Sequence, residues 1–184
     1  NYIDHLDKNL KKILIFHNDP LNLSGSVTVN ERRKIIENCE KVLFVSNWVK
    51  KRFFLNLNFN HKNNVEVIYN FVNPINKFPR KRKIIVFSGK LNLSKGFGIF
   101  GNAIIKILNK YSNWKSIVIG DEPRDKLEFN HDNLYKLGFK KHEEVLKIYK
   151  KTSIAVVCSR WDEPFGRTSL EASSNGCAVI ISNR

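Results

Sequence analysis

Nine consecutive residues, Glu163-Pro164-Phe165-Gly166-Arg167-Thr168-Ser169-Leu170-Glu171, bring together two carboxylates, a guanidinium and a glycine. If Gly166 opens a helix, the backbone N–H groups beside it lack partners inside that helix, and with the helix dipole they favour an anion. Glu171 then lies within the helix, in the apolar context Leu170-Glu171-Ala172. A carboxylate there is unfavourable unless it is hydrogen-bonded, and ribose hydroxyls are suitable donors. Glu163 falls in the preceding loop, where a sugar can reach it. The plainer alternative makes Glu163 an ordinary loop acid and Glu171 a residue of a solvated helix face.

A second set lies upstream, in Ser88-Gly89-Lys90-Leu91-Asn92-Leu93-Ser94-Lys95-Gly96. Glycine lets a backbone approach a ligand closely. Two ammonium groups converging on such a loop suit a diphosphate; two solvated lysines in a lysine-rich chain are the alternative. Gly120-Asp121-Glu122-Pro123 and Gly138-Phe139 complete a group of four loops, each of which follows an apolar run.

Those runs are the elements that must position the loops. Residues 84–87, 116–119, 134–137, 154–158 and 178–182 read as strands. They alternate with helical patterns over 97–111, 142–150 and 166–175. In the first helix Phe97, Phe100, Ile104, Ile107, Leu108 and Tyr111 share one face. Strands that are apolar throughout and alternate with helices predict a parallel sheet covered on both faces. Right-handed crossovers bring the loops that follow the strands to one edge, where open parallel sheets bind ligands. Upstream, residues 13–16, 41–45 and 65–69 read as strands, 31–39 as a helix, and Asn47 as the cap of a helix through Trp48, Val49, Phe53 and Phe54. Residues 74–83, with two prolines and a basic run, suit a linker. The expected organisation is therefore a partial α/β unit over 1–73, the linker over 74–83, and a second α/β unit over 84–184. The chain starts at Asn1 and has no Met, so its start is expected to be missing; a closing helix is expected beyond Arg184.

Bulk composition narrows the classes. The 184 residues are 42% hydrophobic and 11% aromatic, which suits a folded chain. No apolar run reaches the length of a membrane span, and no signal peptide opens the chain. The net charge of +15 attracts polyanions, phosphorylated substrates or anionic lipid, unless it reflects only a lysine-rich solvated surface. Cys39, Cys158 and Cys177 lack metal-like spacing and read as reduced thiols, which points to a reducing compartment.

Residues 159–172 read Ser-Arg-Trp-Asp-Glu-Pro-Phe-Gly-Arg-Thr-Ser-Leu-Glu-Ala. This resembles the Glu-x7-Glu phrase in the C-terminal domain of the retaining glycosyltransferase family called family 4 or group 1, whose members carry two facing Rossmann-like domains (the GT-B fold). Gly176-Cys177-Ala178-Val179-Ile180 resembles the strand that follows this phrase. Phe87-Ser88-Gly89-Lys90 with Lys95-Gly96 resembles the family's Val-Gly-Arg…Lys-Gly loop, and residues 31–72 resemble the end of its N-terminal domain. The resemblance implies a metal-independent hexosyltransferase with no cofactor, using a nucleotide-diphosphate sugar. Gly89, Lys90 and Lys95, with backbone N–H groups of Phe165, Gly166 and Arg167, would hold the diphosphate. Glu171 would hold the ribose, and Gly138 and Phe139 would border the base. Glu163 would contact the donor sugar and stabilise charge at its anomeric carbon, while His17, after the first strand, would serve the acceptor side. It further implies a glycan or lipid-linked acceptor, a role in lipopolysaccharide or other cell-surface polysaccharide synthesis, and a cytoplasmic place against an anionic membrane surface. Lys90 stands where the family usually has Arg. The competing readings are a basic nucleic-acid- or polyanion-binding α/β protein and a noncatalytic GT-B-like scaffold. Aromatics at core periodicity, and the retention of both glutamates and both lysines, argue against these, so no nucleic-acid partner is expected.

Overall fold

The computed structural model describes residues 10–58, 64–77, 79–122 and 127–183. Pro123, Phe78 and Arg184 lie outside them. The chain divides into two compact units, Asn1–Phe71 and Val72–Arg184.

In the first unit, β1 (Ile13–Phe16), β2 (Lys41–Phe44) and β3 (Val65–Val67) form a parallel sheet in the order β1-β2-β3 among the described residues. Helix α1 (Val29–Asn38) starts on a reciprocal capping box: Thr28 Oγ1 accepts from the Glu31 N–H at 3.2 Å, and Glu31 Oε2 accepts from the Thr28 N–H at 2.8 Å. Helix α2 (Asn47–Phe53) is capped by Ser46, whose hydroxyl accepts from the Val49 N–H, and not by Asn47. Asn47 instead takes the first helical position and donates its amide to the Tyr69 hydroxyl. Strand β3 ends at Val67, short of the expected 69, and Ile68 and Tyr69 are exposed. Phe16, Phe44 and Phe53 make the core, with ring centroids 5.1–5.6 Å apart. Buried Asp19 fixes the turn after β1: it accepts from the Leu21 N–H and pairs with Arg52 at 2.8 Å.

In the second unit, β4 (Arg82–Ser88), β5 (Lys115–Ile119), β6 (Leu134–Lys136), β7 (Thr152–Val157) and β8 (Ala178–Ile181) are all parallel, in the order β6-β5-β4-β7-β8 among the described residues. Alternate residues of β4 serve opposite faces. Ile85 and Phe87 pack with Phe97, Phe100, Ile104 and Leu108 of α3 (Phe97–Lys110). Val86 packs with Val145 and Tyr149 of α4 (His142–Lys151) and Ala172 of α5 (Arg167–Ser174). Each buried Val, Leu, Ile or Phe among them contributes about 1.5–3 kcal/mol of apolar burial. Tyr111, expected on the inner face of α3, is 48% exposed because the helix ends one residue before it.

Ile75, Lys81 and Arg82 pack on this unit. Ile75 donates its N–H to the Ser174 carbonyl, and Arg82 opens β4. The Lys81 ammonium donates to the carbonyls of Tyr149 (3.1 Å) and Asn175 (2.5 Å), joining the C-terminal ends of α4 and α5. Burial holds the Lys81 ammonium below its ordinary pKa. All three cysteines are free; Cys39 and Cys177 are buried and Cys158 is partly so. Chain direction changes side at β4 and β7, which are neighbours, so the loops that follow them diverge from a topological switch point.

Candidate functional site

The loop after β4 is held by its neighbours. Gly89 donates its N–H to the Ile119 carbonyl at 3.0 Å, and Leu91 donates to the Asp121 carbonyl. Asn92 accepts from the Lys95 N–H at 3.0 Å, which sets Lys95 at the last bend before α3. Gly96 caps α3 in the left-handed region, at φ 76°, where only glycine is comfortable. A Cβ there would also sit 1.9 Å from the Cys158 carbonyl oxygen, so the end of β7 lies directly against the start of α3.

After β7 the chain gives Ser159, Arg160, Trp161 and Glu163, then α5. Gly166 caps α5 at φ 79°, again with no side chain on the first-turn N–H groups. The two strands at the switch point are thus each followed by a helix whose N-terminus has a glycine instead of a side-chain cap. In the first unit, by contrast, Thr28 and Ser46 fill that role. The dipoles and N–H groups of α3 and α5 favour an anion at this edge.

Lys95 and Glu163 meet there. The Lys95 ammonium forms an ion pair with Glu163 Oε1. The same oxygen accepts from the Ser159 hydroxyl at 2.7 Å, and the nearby Trp161 indole helps to keep the carboxyl ionised. The Lys95 ammonium lies 5.2 Å from the centroid of the Trp161 ring. Burial by itself raises the Glu163 pKa, but the hydrogen bonds from Lys95 and Ser159, the Lys95 charge and the Trp161 indole outweigh it. The carboxyl therefore rests below its usual range. Between Gly89, Lys95, Ser159, Glu163 and Thr168 is a cavity of about 30 Å³, room for a water. Lys90 stays exposed on the same loop, with no ion pair among the described residues, so only Lys95 of the two lysines is paired with an acid there.

Glu171 is 8% exposed, one turn into α5. Its Oε1 accepts from Arg167 Nη2 at 3.1 Å, and its Oε2 lies 3.9 Å from His142 Nδ1. The apolar context therefore does bury this carboxylate; its side-chain donor is an i,i+4 arginine, and a histidine from the start of α4 stands nearby. Gly138 and Phe139 follow β6; Gly120 donates its N–H to the Gly138 carbonyl at 2.9 Å, and the Phe139 ring is 74% exposed. Phe139, Trp161 and Phe71 correct the expectation that aromatics lie inside: these three project into solvent. His17 is exposed directly after β1, in the first unit.

Three neighbours of the site carry little signal in the sequence. Ser159 and Trp161 belong to the motif, and the four-residue spacing from Ser159 to Glu163 is the one sign of their contact. His142 opens α4 after a strand, and that position brings it to the ligand edge. Among the described residues no group of three or more His, Cys, Asp or Glu is arranged to hold a metal ion. No helix among them is long and apolar enough to cross a membrane.

An all-parallel sheet with glycine-capped helices at its switch point, together with a paired lysine and glutamate and a second glutamate one turn into the helix, defines an α/β protein with its candidate site at the carboxyl edge of the sheet. The model of one protein family, described as Glycosyl transferases group 1, matches residues 70–184, and the chain belongs to that family. An uncharacterized glycosyltransferase of Methanocaldococcus jannaschii, MJ1607, is 31% identical over 185 residues, covering 87% of this chain and 46% of the relative. The chain thus spans about half of that relative's length. The fold is that of the GT-B glycosyltransferases. The crystal structure of TarM matches with a TM-score of 0.68 at 18% identity, over 95% of this chain and 36% of its own. That of Anabaena Alr3699/HepE in complex with UDP-glucose matches with a TM-score of 0.67 at 17% identity, over 93% of this chain and 53% of its own.

Proposed function

We propose that the chain carries the donor side of a family 4 retaining glycosyltransferase, which moves a hexose from a nucleotide diphosphate to an acceptor without a metal ion. The observation that supports this most is the Lys95–Glu163 pair beside the glycine-capped start of α5, with buried Glu171 eight residues after Glu163. In this reading Lys95 and Lys90 take the diphosphate, helped by backbone N–H groups of Gly89, Phe165, Gly166 and Arg167. The cationic loop and the helix dipoles then stabilise the departing phosphate, the task a metal ion performs elsewhere. Glu171 takes the ribose hydroxyls, Phe139 and Gly138 border the base, and Glu163 faces the transferred sugar. His17 serves the acceptor.

The likeness to a protein solved with UDP-glucose makes UDP-glucose the first donor to try. The basic charge supports a cytoplasmic enzyme held peripherally at an anionic membrane, making lipopolysaccharide or another cell-surface polysaccharide on a glycan or lipid-linked acceptor. Arg82, Lys83, Lys115, Lys150 and Lys151 are exposed around the strand starts, opposite the ligand edge.

Calorimetric titration with UDP, GDP, ADP and their sugars, beside Glu171→Ala and Lys95→Ala, tests the reading. One nucleotide binding saturably, weakened in both variants and indifferent to EDTA, is expected. Silence from every nucleotide in the full-length protein, with salt-sensitive polyanion binding instead, would sink it.

A further inference from the structure

Beside the Lys95–Glu163 pair, Leu93 and Ser94 of the β4–α3 loop and Arg160 and Trp161 of the β7–α5 loop enclose a second cleft of about 220 Å³. We infer that this cleft is a subsite for one pyranose ring of the acceptor glycan. The inference rests on the glycosyl-transfer reading for the identity of the sugar as acceptor, and on the cleft itself for the chemistry.

The walls are preformed. The Arg160 N–H donates to the Ser94 carbonyl at 2.8 Å and ties the two loops together. Trp161 is 43% exposed and Leu93 53% exposed, so neither is placed there to fill the core. The indole is nevertheless held: the Lys95 ammonium, itself paired with Glu163, lies 5.2 Å from its centroid. A ring held against a fixed cation loses little further freedom when a ligand packs on it.

The polar groups are on offer. Among the described residues the Arg160 guanidinium and the Ser94 hydroxyl have no hydrogen-bond or ion-pair partner. A pyranose presents an apolar C–H face and a rim of hydroxyls. Trp161 and Leu93 match the face, and Arg160 and Ser94 match the rim. The volume is below the roughly 300–1,000 Å³ of pockets for drug-sized ligands, which favours a single ring over a nucleotide. The cleft shares no lining residue with the small cavity beside the Lys95–Glu163 pair, so it is a separate place on the same edge, and its assignment to the acceptor follows from the glycosyl-transfer reading.

The test uses full-length protein labelled with fluorotryptophan, observed by fluorine NMR, with the Trp161 resonance assigned from Trp161→Phe. Methyl α- and β-hexopyranosides of glucose, galactose, mannose and N-acetylglucosamine are titrated in, and UDP binding is measured separately by calorimetry. At least one hexoside is expected to move the Trp161 resonance saturably. Arg160→Ala should weaken that response about tenfold while leaving UDP affinity within twofold. Trp161→Phe keeps a ring but removes the indole that helps to keep Glu163 ionised, so the acidic limb of any transfer activity should move to higher pH. If UDP binds but no hexoside moves the resonance, or if Arg160→Ala leaves the response intact, the subsite is wrong and the donor reading stands. A shift produced by a short single-stranded oligonucleotide and by no hexoside overturns the subsite in favour of nucleic acid. Failure of both UDP and hexosides overturns the subsite and the proposed function together.

Discussion

Replacing Glu163 by Gln should make free UDP bind more tightly while transfer is lost. The Lys95 ammonium, proposed above to take the diphosphate, is paired with Glu163, with side chains 29% and 22% exposed. A phosphate must compete with that carboxylate. Exposed pairs contribute about 0–1 kcal/mol, and breaking a buried pair costs about 3–5 kcal/mol. A partly buried pair lies between, at about 1–2 kcal/mol, which corresponds to roughly a 5- to 30-fold gain in UDP affinity for Glu163→Gln. The sign also fixes a pH dependence. The Glu163 carboxyl lies below its usual range, so the competition operates above the ordinary carboxylate pKa and is lost as pH falls through the lowered value. Wild type and Glu163→Gln should therefore differ at neutral pH and converge in acid. Calorimetry at several pH values measures both effects. Equal or weaker UDP binding by Glu163→Gln at neutral pH would refute the idea that the carboxylate holds Lys95 away from the phosphate.

Three further outcomes are expected. Gly96→Ala must place a Cβ 1.9 Å from the Cys158 carbonyl at φ 76°, and combined strain and overpacking should cost about 2–5 kcal/mol in urea unfolding. Glu171→Ala removes a buried charged acceptor and should weaken UDP by roughly 10- to 150-fold in calorimetry. Lys90→Arg restores a bidentate fork at an exposed, unpaired position and should tighten UDP by about 1 kcal/mol, roughly fivefold.

The parallel architecture was legible because β4, β5 and β7 are covered on both faces and so carry uninterrupted apolar runs, and the glycines and charges gather where those runs stop. What could not be read was adjacency. Lys95 and Glu163 lie 68 residues apart and meet only because β4 and β7 are neighbours in the sheet. His142 reaches Glu171 only because α4 and α5 cover the same face. Small errors had local causes. Ser46 and Asn47 are both good caps, and nothing in the pattern says which residue starts the turn. The basic stretch 74–83 reads as solvated, yet Lys81 reaches two helix ends by burying its aliphatic stem, a use of lysine that composition does not announce.

The glycines at the ligand edge are interlocked as well as permissive. A side chain on Gly96 would strike the carbonyl of Cys158, and one on Gly120 would strike the carbonyl of Gly89, so the loops after β4, β5 and β7 key into one another backbone to backbone. Over evolutionary time such a lock divides the edge into two kinds of position. The keyed backbone cannot drift, because any new side chain there displaces a second loop. Between the keys, Leu93, Ser94 and Arg160 can be exchanged one at a time without moving the frame. Descendants of this chain can therefore change what they hold while keeping how they hold it, and a library confined to those three positions is the place to look for altered specificity.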